Sequence, residues 1–305
     1  MGKTRHRNWD RLLRELPLYI MIVPSFVLVL VYSYGAMAGV TIAFQKFSPA
    51  KGLFGSDFIG FSNFVNLFSM PSIWTVIRNT ITISLWKMGG GIIVPVVFAL
   101  LLNELRGKFV KRGFQTLVYL PNFLSWIVLA GVFMDILSPS SGIVNTVLGN
   151  MGVAPIFFLG DKFWFPITMV VTEIWKGFGF GSVIYLSGLT SIDPALYEAA
   201  EIDGANRWQQ TLNVTLPGIA SLVALMTVLS MGNVLNGGFD QIYNMYSAAV
   251  YETGDILDTF VYRLGIESAQ FALATAAGLF KSAISLLFVL VSYHLADRLA
   301  GYRIY

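Results

Sequence analysis

The sequence predicts an all-α polytopic membrane protein with six transmembrane helices, and three observations carry that reading. Charged residues make up only 12% of the 305-residue chain, against roughly 25% in ordinary soluble domains. Mean hydropathy is +0.67, more apolar surface than a water-soluble fold of this length keeps inside. Six apolar runs reach the roughly 20 residues that a helix needs to cross a hydrocarbon core about 30 Å thick. Lipid offers no partner to backbone N–H and C=O groups, so each run is expected to be helical, and no alternating barrel pattern competes. A net charge of +3 is too small for a nucleic-acid surface. With two His and no Cys, a Cys-based zinc site, a disulfide framework and a thiol nucleophile are excluded, and no metal site is expected.

Residues 1–16 form a short N-terminal segment rich in basic groups: Lys3, Arg5, Arg7, Arg11 and Arg14. The first span comes next, near 17–44. Ala36-Met37-Ala38 imitates a signal-peptidase site, but the apolar run is too long for a signal-peptide core and further spans come after it, so the run is read as retained. The remaining spans are placed near 77–102, 114–137, 163–187, 218–236 and 272–296, with a tail at 301–305. Gly89-Gly90-Gly91 in the second span allows a kink. Gly177 and Gly181 in the fourth have the small-xxx-small spacing of closely packed helices.

Orientation is set by the basic residues. The N-terminal segment, the loop holding Arg106, Lys108, Lys111 and Arg112, and the tail with Arg298 and Arg303 fall on one side of a six-span frame. That side is assigned to the cytoplasm, with both termini there. The opposite loops are poorer, holding Lys46 and Lys51, then Lys162, then Arg263. One cytoplasmic loop breaks the pattern: between spans 4 and 5, Arg207 stands against Asp193, Glu198, Glu201 and Asp203. Something other than topology selects its sequence.

That loop, 193–217, reads as a helix-turn-helix knob. Asp193 is a good N-cap and Pro194 a good first helical residue, so a short helix is expected to about Glu201. Leu196, Tyr197 and Ala200 can share an apolar stripe on it. Asp203-Gly204 makes a turn in which Gly204 takes positive φ. A second short helix is expected from about Ala205, and Pro217 marks the entry to span 5.

Glu198-Ala199-Ala200, then Gly204, Val214 and Leu216-Pro217, resembles the EAA loop of permeases from binding-protein-dependent ABC importers, with Val214 where the family often has Ile. Phe58-Ile59-Gly60-Phe61-Ser62-Asn63-Phe64 with Asn79-Thr80, and Phe239-Asp240-Gln241-Ile242-Tyr243, are similar to segments of carbohydrate-uptake permeases of the maltose-transporter type. The likeness covers residues 17–300. Two departures stand out. There is no large extracytoplasmic insert, and the Gly-Gly-Pro that usually comes after the Phe-Asp segment is missing. The texture is closer to the subgroup importing complex oligosaccharides, including uronic-acid-containing ones.

The resemblance implies a type I importer permease fold with a permease domain over 17–300 in the bacterial cytoplasmic membrane. It implies a non-catalytic subunit forming half of a sugar pathway with a second, homologous permease. An ATPase dimer would hold ATP and Mg, and an extracytoplasmic binding protein would deliver the carbohydrate. The subunit itself would carry no cofactor. It further implies that Glu198, Ala199, Ala200, Asp203, Gly204, Leu216 and Pro217 couple to the ATPase. The chain has no phosphate-binding loop, so the ATPase must be another chain. Alternatives are an ABC importer permease for a non-sugar solute or a secondary transporter, the latter of which would not need a cytoplasmic coupling knob.

Lys87, Asp135, Glu173, Lys176 and Lys281 lie inside the expected spans, where a charge is costly and faces a partner or a polar cavity. Glu173 and Lys176 are three residues apart and can pair on one helix. Lys87 can snorkel outward, and Asp135 lies near an outer end. Lys281, near the middle of span 6, is the best candidate to face the pathway. Asn233, Asn236, Asp240, Gln241 and Tyr243, with Glu173 and Lys176, complete the candidate pathway set, because sugars are held by polar forks and aromatic faces.

The frame is testable because the chain has no Cys. Single cysteines at Lys51 and Arg112 should label oppositely with an impermeant thiol reagent, the first from outside intact cells and the second only after lysis. Labelling of position 112 from outside would overturn the orientation.

Overall fold

A computed structural model describes residues 3–105 and 107–300, with side chains from residue 15 to 294. Arg106, the tail 301–305 with Arg303, and the side chains of Lys3, Arg5, Arg7, Arg11, Arg14 and Arg298 lie outside the described residues. Among the described residues, five helices are long and apolar enough to cross a membrane: Glu15–Phe44, Pro71–Glu104, Trp164–Thr190, Arg207–Met231 and Phe271–His294. A bent pair, Lys108–Phe123 with Trp126–Ile136, makes a sixth if counted as one span. The chain divides into two units.

The first unit comprises residues 3–67 and 264–279. Helix starts at Lys3, so the expected N-terminal segment is continuous with the first span, and it remains helical in tighter and wider turns to Phe44. Every side chain from Leu16 to Met37 is exposed in the isolated chain. A small hairpin comes next, Gln45–Lys46 antiparallel to Asp57–Phe58. Buried Asn63 holds it, donating to the carbonyls of Ala43 and Gln45, both at 2.9 Å. The rings of Phe44, Phe58, Phe61 and Phe64 cluster around it. The Phe58–Phe64 motif is thus the clasp of this hairpin.

The second unit comprises residues 68–263 and 280–300. Its axis is the packing of Pro71–Glu104 along Trp164–Thr190. In lipid, apolar side chains gain little by leaving their solvent, so such packing rests on close van der Waals approach and hydrogen bonds. Glycine supplies the approach. A Cβ on Gly90 would lie 2.1 Å from Ile174 Cδ1, and one on Gly179 would lie 2.3 Å from the Val118 carbonyl oxygen. Gly90 therefore marks contact: the helix runs unbroken through Gly89-Gly90-Gly91, where a kink was expected. Toward one end the core is Ile83, Phe165, Met169, Ile242 and Ile256; toward the other it is Ala99, Leu102, Tyr185, Leu189 and Ile219.

The third span departs from expectation. Instead of one helix over 114–137, Lys108–Tyr119 and Trp126–Ile136 flank a break, and the pair is bent by 106°. The cause is local. Pro121 has no N–H to continue the ladder, the chain extends at Leu124, and the Ser125 side chain accepts from Val128 N–H to start a new helix. At 12 and 11 residues, neither helix crosses a bilayer alone.

Asn79 and Thr80 fix the segment before span 6. Asn79 Nδ2 donates to the carbonyls of Glu252 and Asp255, and Thr80 Oγ1 accepts from Leu257 N–H at 2.8 Å. Asp255, 2% exposed, pairs with Arg263 at 2.5 Å and accepts from Thr259. Burial pushes the Asp255 carboxyl above the ordinary range, while Arg263 and Thr259 pull it back.

Candidate functional site

Two places in the second unit gather the residues singled out from the sequence. The first is the knob. Its helix runs Pro194–Ile202, with Asp193 accepting from Ala195 N–H at 2.9 Å as N-cap. Gly204 has φ +79°, the left-handed turn that only glycine takes without strain. Asn206 and Gln209 then form a reciprocal capping box, each side chain bonded to the other's backbone N–H. The expected separate short helix, entering a span at Pro217, is not found. Helix Arg207–Met231 is instead one body, passing through a wide turn at Thr211–Thr215 that absorbs Pro217 near the start of its regular part. The knob and the span are therefore mechanically joined.

Internal contacts hold the knob's inner face. Tyr197 Oη and Thr215 Oγ1 are 3.0 Å apart, and a Cβ on Gly218 would lie 2.7 Å from Ile192 Cδ1. Leu216 packs against the Ala99–Leu189–Ile219 core. The opposite face is open: Glu198, Ala199, Glu201, Asp203 and Gly204 are exposed, and Ile202 is 86% exposed. Leu196 is exposed as well, while Tyr197 and Ala200 are half-buried, so the expected stripe splits between the two faces. The open face is acidic with two large apolar residues, Leu196 and Ile202.

The second place is a polar cavity of about 340 Å³ lined by Ser84, Lys87, Glu173, Ser230, Asn233 and Asn236 among others. Lys87 does not snorkel outward. Its ammonium points inward, donating to the Gly237 carbonyl at 2.8 Å and to Gln241 Oε1, with Glu173 Oε2 at 3.7 Å. Gln241 is fully buried and completes the network, donating to the Met169 carbonyl at 2.8 Å and to Thr172 Oγ1 at 2.7 Å. Two long helices and the turn after the Arg207–Met231 helix are thereby locked together. Gly238 permits the closeness: its φ is +87°, and a Cβ there would lie 2.9 Å from the Lys87 nitrogen.

Glu173 therefore pairs with Lys87 and not with Lys176, as local spacing had suggested. Helical neighbours lose to a partner on the facing helix when that partner is buried and brings two further hydrogen bonds. Glu173 Oε2 still accepts no hydrogen bond and faces the cavity. Lys176 reaches the Asn122 carbonyl at the break in the third span, 3.5 Å away, and lies over the Trp126 ring. Lys281 is ion-paired within the chain to Asp258 at 2.5 Å and donates to Asn236 at 3.0 Å. Asn233 and Asn236 line the cavity, Asp240 is exposed, and Tyr243 stacks on Phe239 with its edge to Tyr262. With Gln241, these residues lie on a turn and the short helix Phe239–Met245, beyond the end of the span expected to run to 236. Lys87, noted in the sequence as a charge inside a span, is a site residue that the candidate pathway set leaves out. The signal is there, a lysine with an apolar run on both sides, but its partners lie far along the chain.

Long apolar helices, a polar cavity among them and an exposed helical knob define a permease component of a membrane transport system. Residues 91–301 match the family described as the binding-protein-dependent transport system inner membrane component, and the chain belongs to it. It is 35% identical over 303 residues to the polygalacturonan/rhamnogalacturonan transport system permease protein YteP of Bacillus subtilis, covering 99% of this chain and 94% of that protein. Among solved structures it is similar to a chain of a bacterial ABC transporter involved in the import of the acidic polysaccharide alginate. There the TM-score is 0.87 at 38% identity, over 96% of this chain and 99% of the other. A second structure of a bacterial alginate ABC transporter, in complex with an alginate pentasaccharide-bound periplasmic protein, gives TM-score 0.87 at 37% identity, over 96% and 98%.

The Lys87 network makes a stability prediction. Replacing Lys87 with Met leaves Gln241 and the Gly237 carbonyl without their donor and Glu173, itself partly exposed, without its counter-ion, a loss of about 1–3 kcal/mol. Purified Lys87→Met should therefore unfold at a clearly lower temperature in detergent, and adding Glu173→Gln should recover part of the loss. A single variant as stable as the wild type would show that the network holds nothing.

Proposed function

We propose that this chain forms half of the translocation pathway of an ATP-driven importer of acidic oligosaccharides. The observation that carries it is the knob at 193–217, with a side-chain N-cap on each of its two helices, open on an acidic face and running into a long apolar helix. A rigid helix fused to a span transmits displacement, whereas a floppy loop absorbs it. Glu198, Ala199, Ala200, Asp203 and Gly204 form the face that a separate ATPase grips, with Glu198 paired to a basic group and the two alanines allowing close approach. Leu216 and Pro217 seat the knob against the span. The chain is non-catalytic in this reading: ATP and Mg are bound and turned over on the partner. A second homologous permease completes the pathway, and an extracytoplasmic binding protein loads it. Both termini are cytoplasmic.

The substrate class is supported by two relatives, one named for polygalacturonan and rhamnogalacturonan and one for the acidic polysaccharide alginate. The sugar passes the polar cavity, where Asn233 and Asn236 offer partners to hydroxyl groups. Lys87, Gln241 and Lys281 are committed to internal bonds and shape the cavity more than they read the cargo.

Gly204→Leu and Glu198→Trp in the reconstituted complex test the lever. The knob lies outside the apolar run, so complex yield should stay near wild type. Uptake should fall at least tenfold, and ATP hydrolysis should no longer rise when the loaded binding protein is added. Wild-type uptake and stimulation in both variants would remove the knob from the mechanism. Transport of neutral but not acidic oligosaccharides by the wild type would refute the substrate class.

A further inference from the structure

Five ionisable groups lie well inside the apolar runs, and four are accounted for. Lys87 pairs with Glu173 and Lys281 with Asp258, while Asp135 is exposed near the end of Trp126–Ile136. Lys176 is left. It sits near the middle of the 27-residue helix Trp164–Thr190, half-buried, and among the described residues no carboxylate lies within ion-pair distance of it. Its ammonium donates to the Asn122 carbonyl at the 3.5 Å limit of a hydrogen bond, and the Trp126 ring lies 5.4 Å from it. A carbonyl and an indole face steady a cation but leave its charge uncancelled.

The surroundings say what kind of space this is. The backbone break at 120–125 stands beside Lys176, and Phe123, Leu124 and Ser125 are exposed in the isolated chain. Irregular backbone at membrane depth persists only where protein covers it or where it borders a water-filled cavity. Lys176 also adjoins Glu173 on its helix, next to the wall formed by Glu173, Ile174, Gly177 and Phe178. Lys176 does not itself line that cavity; it stands at the span break, on the helix that supplies one of the cavity's walls.

We infer that Lys176 is the specificity-determining cation of the pathway, binding the carboxylate of a uronic-acid residue as it passes the break in the third span. This rests on the proposed importer of acidic oligosaccharides and names the residue that reads the acid. It also moves that role away from Lys281, whose charge Asp258 already neutralises. The Asn122 carbonyl and Trp126 hold the ammonium in place between cargoes. Because their grip is weak, a carboxylate can displace them and then leave.

The test uses the reconstituted complex with Lys176→Met and Lys176→Arg. Two cargoes are delivered by the same binding protein: a galacturonate trisaccharide and its methyl-esterified form, in which the carboxylate charges are capped. For each cargo the variant's rate is divided by the wild type's at saturating loaded binding protein, and complex yield and thermal stability are measured alongside. Lys176→Met should reduce transport of the acid at least tenfold while the ester stays within twofold, and Lys176→Arg should keep most of the acid transport. Unchanged acid transport in Lys176→Met overturns the inference, as does an equal loss for both cargoes. A fall in yield or stability that Lys176→Arg restores, with no discrimination between cargoes, would overturn it too and assign Lys176 a counter-ion on the second permease. If the wild type carries no acid at all, the substrate class has failed, and the inferred role of Lys176 falls with it.

Discussion

Hydrocarbon offers no partner to a charge or a free peptide group, and most of this structure is an answer to that constraint. Lys87 shows it most plainly. A lysine deep in an apolar helix is expensive unless its donors are used, and here they reach a backbone carbonyl, a buried Gln241 and the Glu173 carboxylate. Meeting the demand of one ammonium requires the turn after the Arg207–Met231 helix to come within reach of Pro71–Glu104. That in turn requires glycine at 237 and 238: a Cβ on Gly237 would meet Ile256 at 2.8 Å, and one on Gly238 would meet Lys87 itself. The polar cavity is the space left between elements so tied.

The same constraint explains why the knob and the span are one body. A helix beginning only at Pro217 would leave unpaired backbone groups near the membrane boundary. Instead the helix starts at Arg207, spends its capping box in the aqueous region, and carries its hydrogen-bond ladder through a wide turn into the apolar stretch. The turn 203–206 joins Pro194–Ile202 to this helix, and Tyr197, Ile192 and Leu216 tie the knob to the core of Ala99, Leu189 and Ile219.

Much of this is legible in the sequence, and the boundary of legibility is physical. Local chemistry can be read: Asp193 and Pro194 start a helix, and Gly204 takes positive φ. Apolar run lengths locate four of the long helices to within several residues, while the fifth, expected from 218, already starts at Arg207. The broken third span is partly legible too, since Leu120-Pro121-Asn122 and then Ser125 make a stop and a start inside an apolar stretch, but hydropathy averages over it. Pairing across helices cannot be read. Glu173 has Lys176 one turn away and Lys87 distant along the chain, and only the packing of Gly90 on Ile174 decides which it meets. Lys281 looks free in the sequence because Asp258 lies in a short helix with no apolar run to announce it.

Whether the cavity bounded by Lys87, Glu173, Asn233 and Asn236 belongs to the proposed pathway is the central question. A chain without cysteine makes this directly measurable. A cysteine at Asn233 in the assembled complex is challenged with a small hydrophilic thiol reagent, with and without sugar-loaded binding protein and non-hydrolysable ATP analogue. Position 233 should react, its rate should change at least fivefold between nucleotide-free and nucleotide-bound states, and cargo should protect it. A site that never reacts, or reacts at one rate in every state with no protection by sugar, would contradict a pathway through this cavity.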